Sequence, residues 1–259
     1  MDFIHKLFDH AHKRYMMGYN PVLILAVFGD LVFPLSVMLW LPKTHPKYRS
    51  KNDLTSDFIT HLKRESDRRG GALDQVDILF DSAYCVQKVV CKAQQSGLSV
   101  VSKASNNHKF AWEGEWFTPK ELIEKVKERA WKCLGKDNDY QRVVATHPVY
   151  GSVVLLIRRR ILKNQKVIYD VVMSTKVAYN GFQINKRYRK RWEIELHFKY
   201  YKQYLHLGKG QCGRLGAIQS QLYGVALAGL IVALFRHQLP RKVSFRTATK
   251  YITHRLYDG

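Results

Sequence analysis

Two hydrophobic runs near the start of the chain, residues 21–28 and 31–40, flank the dipeptide Gly29-Asp30. A Gly-Asp pair between two stretches rich in β-branched and aromatic residues is typical of a tight hairpin turn. Pro34 cannot donate a backbone hydrogen bond to a neighbouring strand, so we expect the second strand to be an edge strand or to contain a bulge. The first predicted element is therefore a β-hairpin.

The hairpin interpretation competes with a membrane span, because residues 21–40 are just long enough to cross a bilayer. A span would place the charge of Asp30 near the bilayer centre, which is costly, whereas a turn leaves it in water. A second apolar run, from Leu222 to Phe235, has 14 residues, which suits a buried helix. We therefore expect no membrane-spanning segment.

Short strands and helices alternate after the hairpin. Asp53 is expected to cap a helix whose apolar residues follow helical spacing. Residues 76–80 form a short apolar run that ends at Asp81, residues 84–96 have the pattern of a helix, and residues 98–101 that of a strand. This alternation predicts an α/β fold in which helices pack against a mixed sheet.

The second half of the chain divides into a strand-rich and a helical part. Residues 105–180 are rich in strand formers and predict a β-rich insertion. From about Ile184 the pattern predicts one long helix to about Leu207, then a Gly-rich break, then a very apolar helix to about His237. The predicted segments are the first part of a core, the insertion and a helical part, over residues 1–104, 105–180 and 181–259.

The charge balance indicates a polyanionic partner. Lys and Arg number 43 against 21 Asp and Glu, a formal net charge of +22, and such an excess repels itself unless a polyanion is nearby. Nucleic acid is the commonest such partner, and an anionic membrane surface is the next. From Arg158 to Arg214 there are 15 Lys/Arg and 3 Asp/Glu, with aromatic side chains among the basic ones at 186–192. Basic and aromatic side chains together favour DNA.

Several functional side chains share one face of the long predicted helix. At 100° per residue from Tyr188, Arg191 lies at about 300°, Glu195 at about 340°, Lys202 at about 320° and Lys199 at about 20°. Two interpretations fit this stripe. By spacing alone, Arg191 and Lys199 at four residues on either side of Glu195 favour a surface salt-bridge ladder. The alternative is a metal-binding carboxylate whose basic neighbours hold a phosphate backbone.

The order Tyr188-x2-Arg191-x3-Glu195-x6-Lys202 resembles, at every spacing, the Tyr-Arg-Glu-Lys signature of bacterial transposases of the insertion-sequence-four type. The resemblance extends over most of the chain, from about residue 8 to residue 237. It implies an RNase H-like fold with a β-rich insertion, an Asp-Asp-Glu triad that holds Mg²⁺ or Mn²⁺, and cut-and-paste transposition of DNA.

Carried onto these positions, the resemblance makes Glu195 the last acid of the triad. Tyr188, Arg191 and Lys202 are then expected to contact the DNA strand near the scissile end, with Lys199 beside them. A guanidinium can hold a phosphate with two hydrogen bonds, an ammonium adds a point charge, and a phenol donates one hydrogen bond. The same resemblance implies a homodimer, or pairing with a full-length transposase, in the nucleoid-associated part of a bacterial cytoplasm.

Asp81 is the candidate for the second acid, because it ends a short apolar strand and Asp81-Ser-Ala-Tyr84 resembles the corresponding part of the family. It lies 195 − 81 = 114 residues before Glu195, a gap that the insertion accounts for. The alternative for Asp81 is an N-cap of the helix that begins near Tyr84. Asp77 lies on the same strand about 13 Å away, too far to share one metal site, so we expect it to pair with a basic side chain.

The resemblance places the first acid of the triad on a strand upstream of the hairpin, and no aspartate here fits that place well. Asp2 is too near the terminus to be held rigidly, Asp9 lies in the segment that follows that strand, and Asp30 is in the hairpin turn. The resemblance therefore implies an N-terminally truncated catalytic domain, and we expect it to bind metal weakly and to be impaired in catalysis. A non-catalytic DNA-binding regulator or inhibitor of transposition is the rival hypothesis.

Overall fold

The computed structural model describes residues 4–9, 13–135, 138–207 and 214–257. They form two compact units, Met1–Leu54 with Trp192–Gly259, and Thr55–Arg191. The chain passes from one unit to the other after Leu54 and after Arg191, whereas the predicted segments divide after residues 104 and 180.

The described elements in chain order are β1 (His5–Asp9), β2 (Arg14–Gly18), β3 (Asn20–Phe28), β4 (Leu31–Trp40), α1 (Lys51–Arg68), β5 (Asp77–Phe80), a 3-10 turn (Ser82–Tyr84), α2 (Gln87–Gln95), β6 (Ser99–Lys103), β7 (Phe110–Trp112), β8 (Glu115–Phe117), α3 (Pro119–Val126), β9 (Lys132–Gly135), β10 (Asn138–His147), β11 (Gly151–Ile161), β12 (Val167–Ser174), α4 (Gly181–Lys190), α5 (Glu193–Tyr204), α6 (Leu215–Gln238) and α7 (Phe245–Tyr257).

The unit Thr55–Arg191 is built on one eight-stranded sheet of order β5-β6-β12-β11-β10-β7-β8, with β9 paired to β10. Strands β5 and β6 are parallel and joined through α2, and the other pairings are antiparallel, so the sheet is mixed. The predicted α/β class with a mixed sheet and helices is confirmed, and it is consistent with an RNase H-like fold. The strands of the predicted insertion, β7 to β12, hydrogen-bond into the same sheet as β5 and β6.

Both faces of this sheet are buried. Successive residues of a strand point to opposite faces, and residues 153–157 of β11 are all fully buried. Leu155 and Ile157 pack in one core with side chains of α2 and α3, whereas Val154 and Leu156 pack in another with Ile184 of α4. Helix α4 is thereby fixed on the face opposite α2 and α3.

The turn between β10 and β11 depends on His147, which is 6% exposed. Its Nδ1 accepts hydrogen bonds from the backbone N–H groups of Val149 (3.2 Å) and Tyr150 (3.3 Å), and its ring stacks on Tyr150 at 3.8 Å. Burial, with the nearby His108 as a second cause, lowers the pKa of His147 to about 4. The folded protein therefore keeps this imidazole neutral.

We expect the His147 pKa to make the protein less stable in weak acid. Between about pH 6.5 and pH 4 the unfolded chain binds a proton at this side chain that the folded chain does not. The free energy of unfolding therefore decreases as the pH is lowered through this range. The loss is about 2–3 kcal/mol, to be measured by urea unfolding at several pH values. His147→Asn keeps an acceptor for the two N–H groups without the titration, so parallel pH curves for the two proteins would contradict the assignment.

The other unit contains the predicted hairpin, β3–β4, which forms a two-stranded sheet of its own. Gly29 opens the turn with φ +58, as the first central position of a type II′ turn requires. The register shifts where Leu25 pairs with Pro34, so the predicted bulge at the proline is confirmed.

Helix α1 begins with a reciprocal cap, in which Ser50 Oγ accepts from Asp53 N (3.1 Å) and Asp53 Oδ2 accepts from Ser50 N (2.9 Å). The prediction that Asp53 is the cap was wrong, because Ser50 holds that position.

Helix α6 packs against β4 and α7 in this unit, with Val225 and Val232 in a core that also contains Tyr201 of α5. The apolar helix predicted to end near His237 is confirmed and is 24 residues long. By length and composition alone it could cross a membrane, and 33% of its most apolar 18-residue stretch is buried. A core helix of a soluble protein passes the same test, so the expectation of no membrane span stays a prediction.

A close approach between α5 and α6 requires glycine at position 229. A Cβ there would lie 2.5 Å from the hydroxyl of Tyr201, which is itself 2% exposed. We expect Gly229→Ala to lower the free energy of unfolding by about 1–3 kcal/mol through overpacking. Gly224→Ala is the matched control, because a Cβ there meets nothing within 4 Å and alanine favours the helix by about 0.5–1 kcal/mol. Thermal unfolding of the two variants checks this, and shifts of the same sign would refute it.

Candidate active site

Asp81 lies directly after β5 with its carboxylate exposed. Its Oδ1 accepts a hydrogen bond from Ala83 N (3.0 Å), so the side chain caps the 3-10 turn, and its backbone carbonyl accepts one from the buried Ser102 hydroxyl (3.2 Å). Burial, and second the charge of Asp81, raise the pKa of Tyr84. Asp81 is therefore an N-cap, but of this short 3-10 turn and not of a longer helix. The cap fixes an exposed carboxylate at the C-terminal end of a sheet strand.

Asp77, at the other end of β5, is committed to a structural pair. Its Oδ2 accepts from Arg187 Nε of α4 (2.6 Å), and the Tyr179 hydroxyl donates to Oδ1 (2.9 Å). The Arg187 guanidinium stacks on the Tyr179 ring, 3.9 Å from its centroid. The prediction that Asp77 pairs with a basic side chain is confirmed, and the pair attaches α4 to the sheet edge.

The single long helix predicted after Ile184 is wrong, because α4 ends at Lys190 and α5 begins at Glu193. At the junction Arg191 N bonds to Tyr188 O, three residues back, and the regular four-residue ladder is interrupted. Tyr188 and Arg191 therefore belong to the end of α4, and Glu195 to α5. The two helices belong to different units, which meet between Arg191 and Trp192, so the prediction that all of these side chains share one face stays a prediction.

The Tyr188 ring has two guanidinium groups beside it, those of Arg158 (5.2 Å from the centroid) and Arg191 (5.8 Å). Burial raises the pKa of the Tyr188 phenol, and the two arginines oppose that shift. The phenol is therefore kept protonated and able to donate a hydrogen bond to an anion.

A buried ion pair holds Arg158 in that place. Its guanidinium forms two hydrogen bonds with Asp170, Nε to Oδ1 (2.7 Å) and Nη2 to Oδ2 (2.5 Å), and Nη1 donates to Asn185 Oδ1 of α4 (3.0 Å). The side chains of Arg158 and Asp170 are 10% and 9% exposed. Sequence reasoning missed this group, although an arginine and an aspartate in consecutive strands are a signal for a cross-strand pair.

The second group of predicted residues shares one face of α5. Glu195, Lys199 and Lys202 follow spacings of four and three residues and are all exposed, whereas His197 and Tyr201 on the opposite face are buried. Burial lowers the pKa of His197, whose Nδ1 is hydrogen-bonded to the backbone carbonyl of Glu193 (2.9 Å). Within this helix the predicted carboxylate and its two cations therefore do lie together on the surface.

The donor set fits a weakly held divalent ion better than a closed protein cage. Mg²⁺ prefers oxygen ligands, keeps several waters, and is often held by one or two carboxylates plus substrate phosphates. The exposed carboxylates of Asp81 and Glu195 suit that style of binding. Within each unit, the described residues contain no group of three or more His, Cys, Asp or Glu side chains placed to hold a metal. Asp81 and Glu195 belong to different units, and their convergence on one ion stays a prediction.

The remaining candidates for a first acid are easily placed. Asp30 is in the hairpin turn, where its carboxylate forms an ion pair with Lys242. Asp9 ends β1, with a side chain outside the described residues, and Asp2 also lies outside them.

A family model described as transposase DDE domain matches residues 4–231. The chain belongs to this family. No curated protein matches the chain in sequence. Members of this family are transposases, enzymes of nucleotidyl transfer that act on DNA in transposition and recombination. The family generally uses a divalent metal ion.

Proposed function

We propose that the chain cleaves and transfers DNA strands in cut-and-paste transposition, as a transposase of the insertion-sequence-four type. The observation that carries the proposal is the exposed face of α5, where a carboxylate at position 195 stands beside the ammonium groups of Lys199 and Lys202. A carboxylate among cations serves phosphoryl transfer, because one group binds metal while its neighbours bind the phosphates of the strand. The family match supplies the substrate.

In this proposal each side chain has a distinct task. Arg191 binds a phosphate near the scissile end with its guanidinium, and the protonated Tyr188 donates a hydrogen bond to the same strand. Lys199 and Lys202 hold neighbouring phosphates. Asp81 and Glu195 hold Mg²⁺ or Mn²⁺, which when bound stabilises charge on the reacting phosphate oxygens.

The other parts of the proposal concern organisation and setting. We propose that residues 105–180 are the family's insertion between the second acid and Glu195. The chain acts on transposon ends and target DNA, without a membrane, in the nucleoid-associated part of a bacterial cytoplasm. It works as a homodimer or paired with a full-length transposase, since two ends must be handled together.

A strand-cleavage assay tests the proposal. Duplexes that contain the two boundaries of the encoding element are incubated with the protein in Mg²⁺, in Mn²⁺ and in EDTA, and new 3′-hydroxyl ends are mapped. We expect nicks at the boundaries in either metal and none in EDTA. Cleavage is expected to be slow, because two carboxylates hold an ion less firmly than three. Nicking that persists in EDTA would exclude the metal-dependent reaction.

A second function, non-catalytic binding and inhibition of transposition, is favoured by one observation: neither unit, among its described residues, assembles three metal-binding side chains. The same assay separates the two functions. Tight binding to boundary DNA without cleavage in either metal would support the regulator and reject the nuclease.

A further inference from the structure

A cleft of about 320 Å³ lies between the C-terminal end of α5 and helix α7. It is within one unit, and its α7 wall follows residue 231, where the match to the family model ends. The side chains that line it include His206 after α5 and Arg246, Thr249, Lys250 and Thr253 of α7, and no acidic side chain is among the described lining. The cleft is therefore basic, which excludes a cationic ligand.

The sequence around the cleft is unusually one-sided in charge. Residues 214–257 contain no Asp or Glu and seven Lys/Arg, namely Arg214, Arg236, Arg241, Lys242, Arg246, Lys250 and Arg255. Arg246 and Lys250 stand four residues apart on one helix face and are both exposed. Like charges at that spacing repel each other and destabilise a helix, and an anion bound between them relieves that repulsion.

The walls of the cleft are fixed before any ligand binds. Phe245 at the start of α7 is 2% exposed, and its ring stacks on Tyr200 (centroids 4.8 Å apart) and on Tyr204 (6.2 Å) of α5. Ser244 caps α7, with its Oγ accepting from Thr247 N (3.0 Å). Because this packing sets the distance between α5 and α7, an anion that binds has to order side chains of the cleft but not its backbone.

The threonine hydroxyl groups in the cleft donate to backbone carbonyls and do not supply donors to a ligand. Thr249 Oγ1 donates to the Phe245 carbonyl (2.9 Å) and Thr253 Oγ1 donates to the Thr249 carbonyl (2.9 Å). An anion in the cleft is therefore recognised through the guanidinium of Arg246 and the ammonium of Lys250, a pairing suited to phosphate oxygens.

We propose that this cleft binds backbone phosphates of the DNA strand whose reacting end lies at Glu195. Along α5, Glu195, Lys199 and Gln203 follow one ridge at spacings of four residues, and Gln203 lines the cleft. Eight residues of helix cover about 12 Å. Successive phosphates of one strand are several ångströms apart, so the cleft holds a phosphate a few nucleotides from the reacting one. This position rests on the proposed function, whereas phosphate binding by the cleft does not.

The salt dependence of binding tests the cleft without any cleavage. Binding to a 30-base-pair duplex is measured by fluorescence anisotropy in EDTA over a range of salt concentrations. The variants are Arg246→Gln/Lys250→Gln in the cleft and, as a control with the same change in charge, Arg241→Gln/Arg255→Gln outside it. Each lost phosphate contact flattens the slope of log K against log salt by about 0.9. We expect the cleft pair to flatten the slope by nearly two such contacts, and the control pair by less than half as much.

Equal slopes for the two double variants, an unchanged slope for the cleft pair, or no DNA binding by the unaltered protein would each overturn the proposal. The position is tested with neutral methylphosphonates placed singly along the strand from the reacting end. Substitution a few nucleotides away should weaken binding of the unaltered protein and leave the cleft variant unaffected. A protein that shows the slope change but does not nick DNA in metal would retain the cleft and lose only the nuclease, so the two failures are distinguishable.

Discussion

Glu195→Gln is expected to reduce metal-dependent nicking on the order of a thousand-fold or more, while the affinity for DNA changes little. The amide has nearly the shape of the carboxylate but neither its charge nor its strength as a metal ligand, so the reaction loses a metal ligand while the cations on the same helix face remain. The loss is measured as the single-turnover rate of nicking in Mg²⁺, with the dissociation constant in EDTA determined in parallel.

Glu193→Gln is the matched control, because it makes the same chemical change two residues earlier in the first turn of α5. Two residues along a helix rotate a side chain by about 200°, away from Lys199 and Lys202. We expect its nicking rate to stay within a few-fold of the unaltered protein. If both variants lost activity equally, or neither did, Glu195 would not be a metal ligand.

Arg158→Met is expected to lower the free energy of unfolding by about 3–5 kcal/mol, as measured by urea unfolding followed by circular dichroism. The substitution leaves the carboxylate of Asp170, which is 9% exposed, without its two-pronged partner. It also removes the hydrogen bond to Asn185 and the cation beside the Tyr188 ring, so α4 loses two contacts with the sheet.

Arg160→Met is the control for the loss of an exposed cation. Arg160 contacts the same carboxylate at 3.4 Å, but its side chain is 44% exposed. Its loss should cost less than about 1 kcal/mol. The double variant Arg158→Met/Asp170→Leu removes both buried charges and should recover most of the stability. A double variant no more stable than Arg158→Met would show that the ion pair is not the cause.

Features that depend on local chemistry were predictable from the sequence. The turn at Gly29 needs a residue that tolerates positive φ, and Pro34 cannot complete a strand ladder, so the hairpin and its bulge follow from two residues. The pairing of Asp77 with a basic side chain was predictable for two reasons. Strand geometry places Asp77 too far from Asp81 to share a metal site, and a carboxylate without a partner beside a sheet is costly.

The helix junction at Arg191 could not be predicted in the same way. Arg191 and Trp192 both keep right-handed helical dihedral angles, and neither is a proline or a glycine, so the pattern of apolar residues continues through the break. The prediction of one long helix from Ile184 to Leu207 was wrong for this reason. Likewise the sharing of one sheet by β6 and β12 depends on pairings between residues about 70 positions apart, which periodicity does not encode.

The attachment of α4 to the sheet by ion pairs has a practical consequence for anyone preparing this protein. Concentrated salt strips nucleic acid from basic surfaces by competing for each phosphate contact. The Arg158–Asp170 pair is shielded from solvent, so dissolved ions screen it far less than they screen a complex with DNA. A wash at high ionic strength should therefore release co-purified nucleic acid and leave the helix that presents Tyr188 in place.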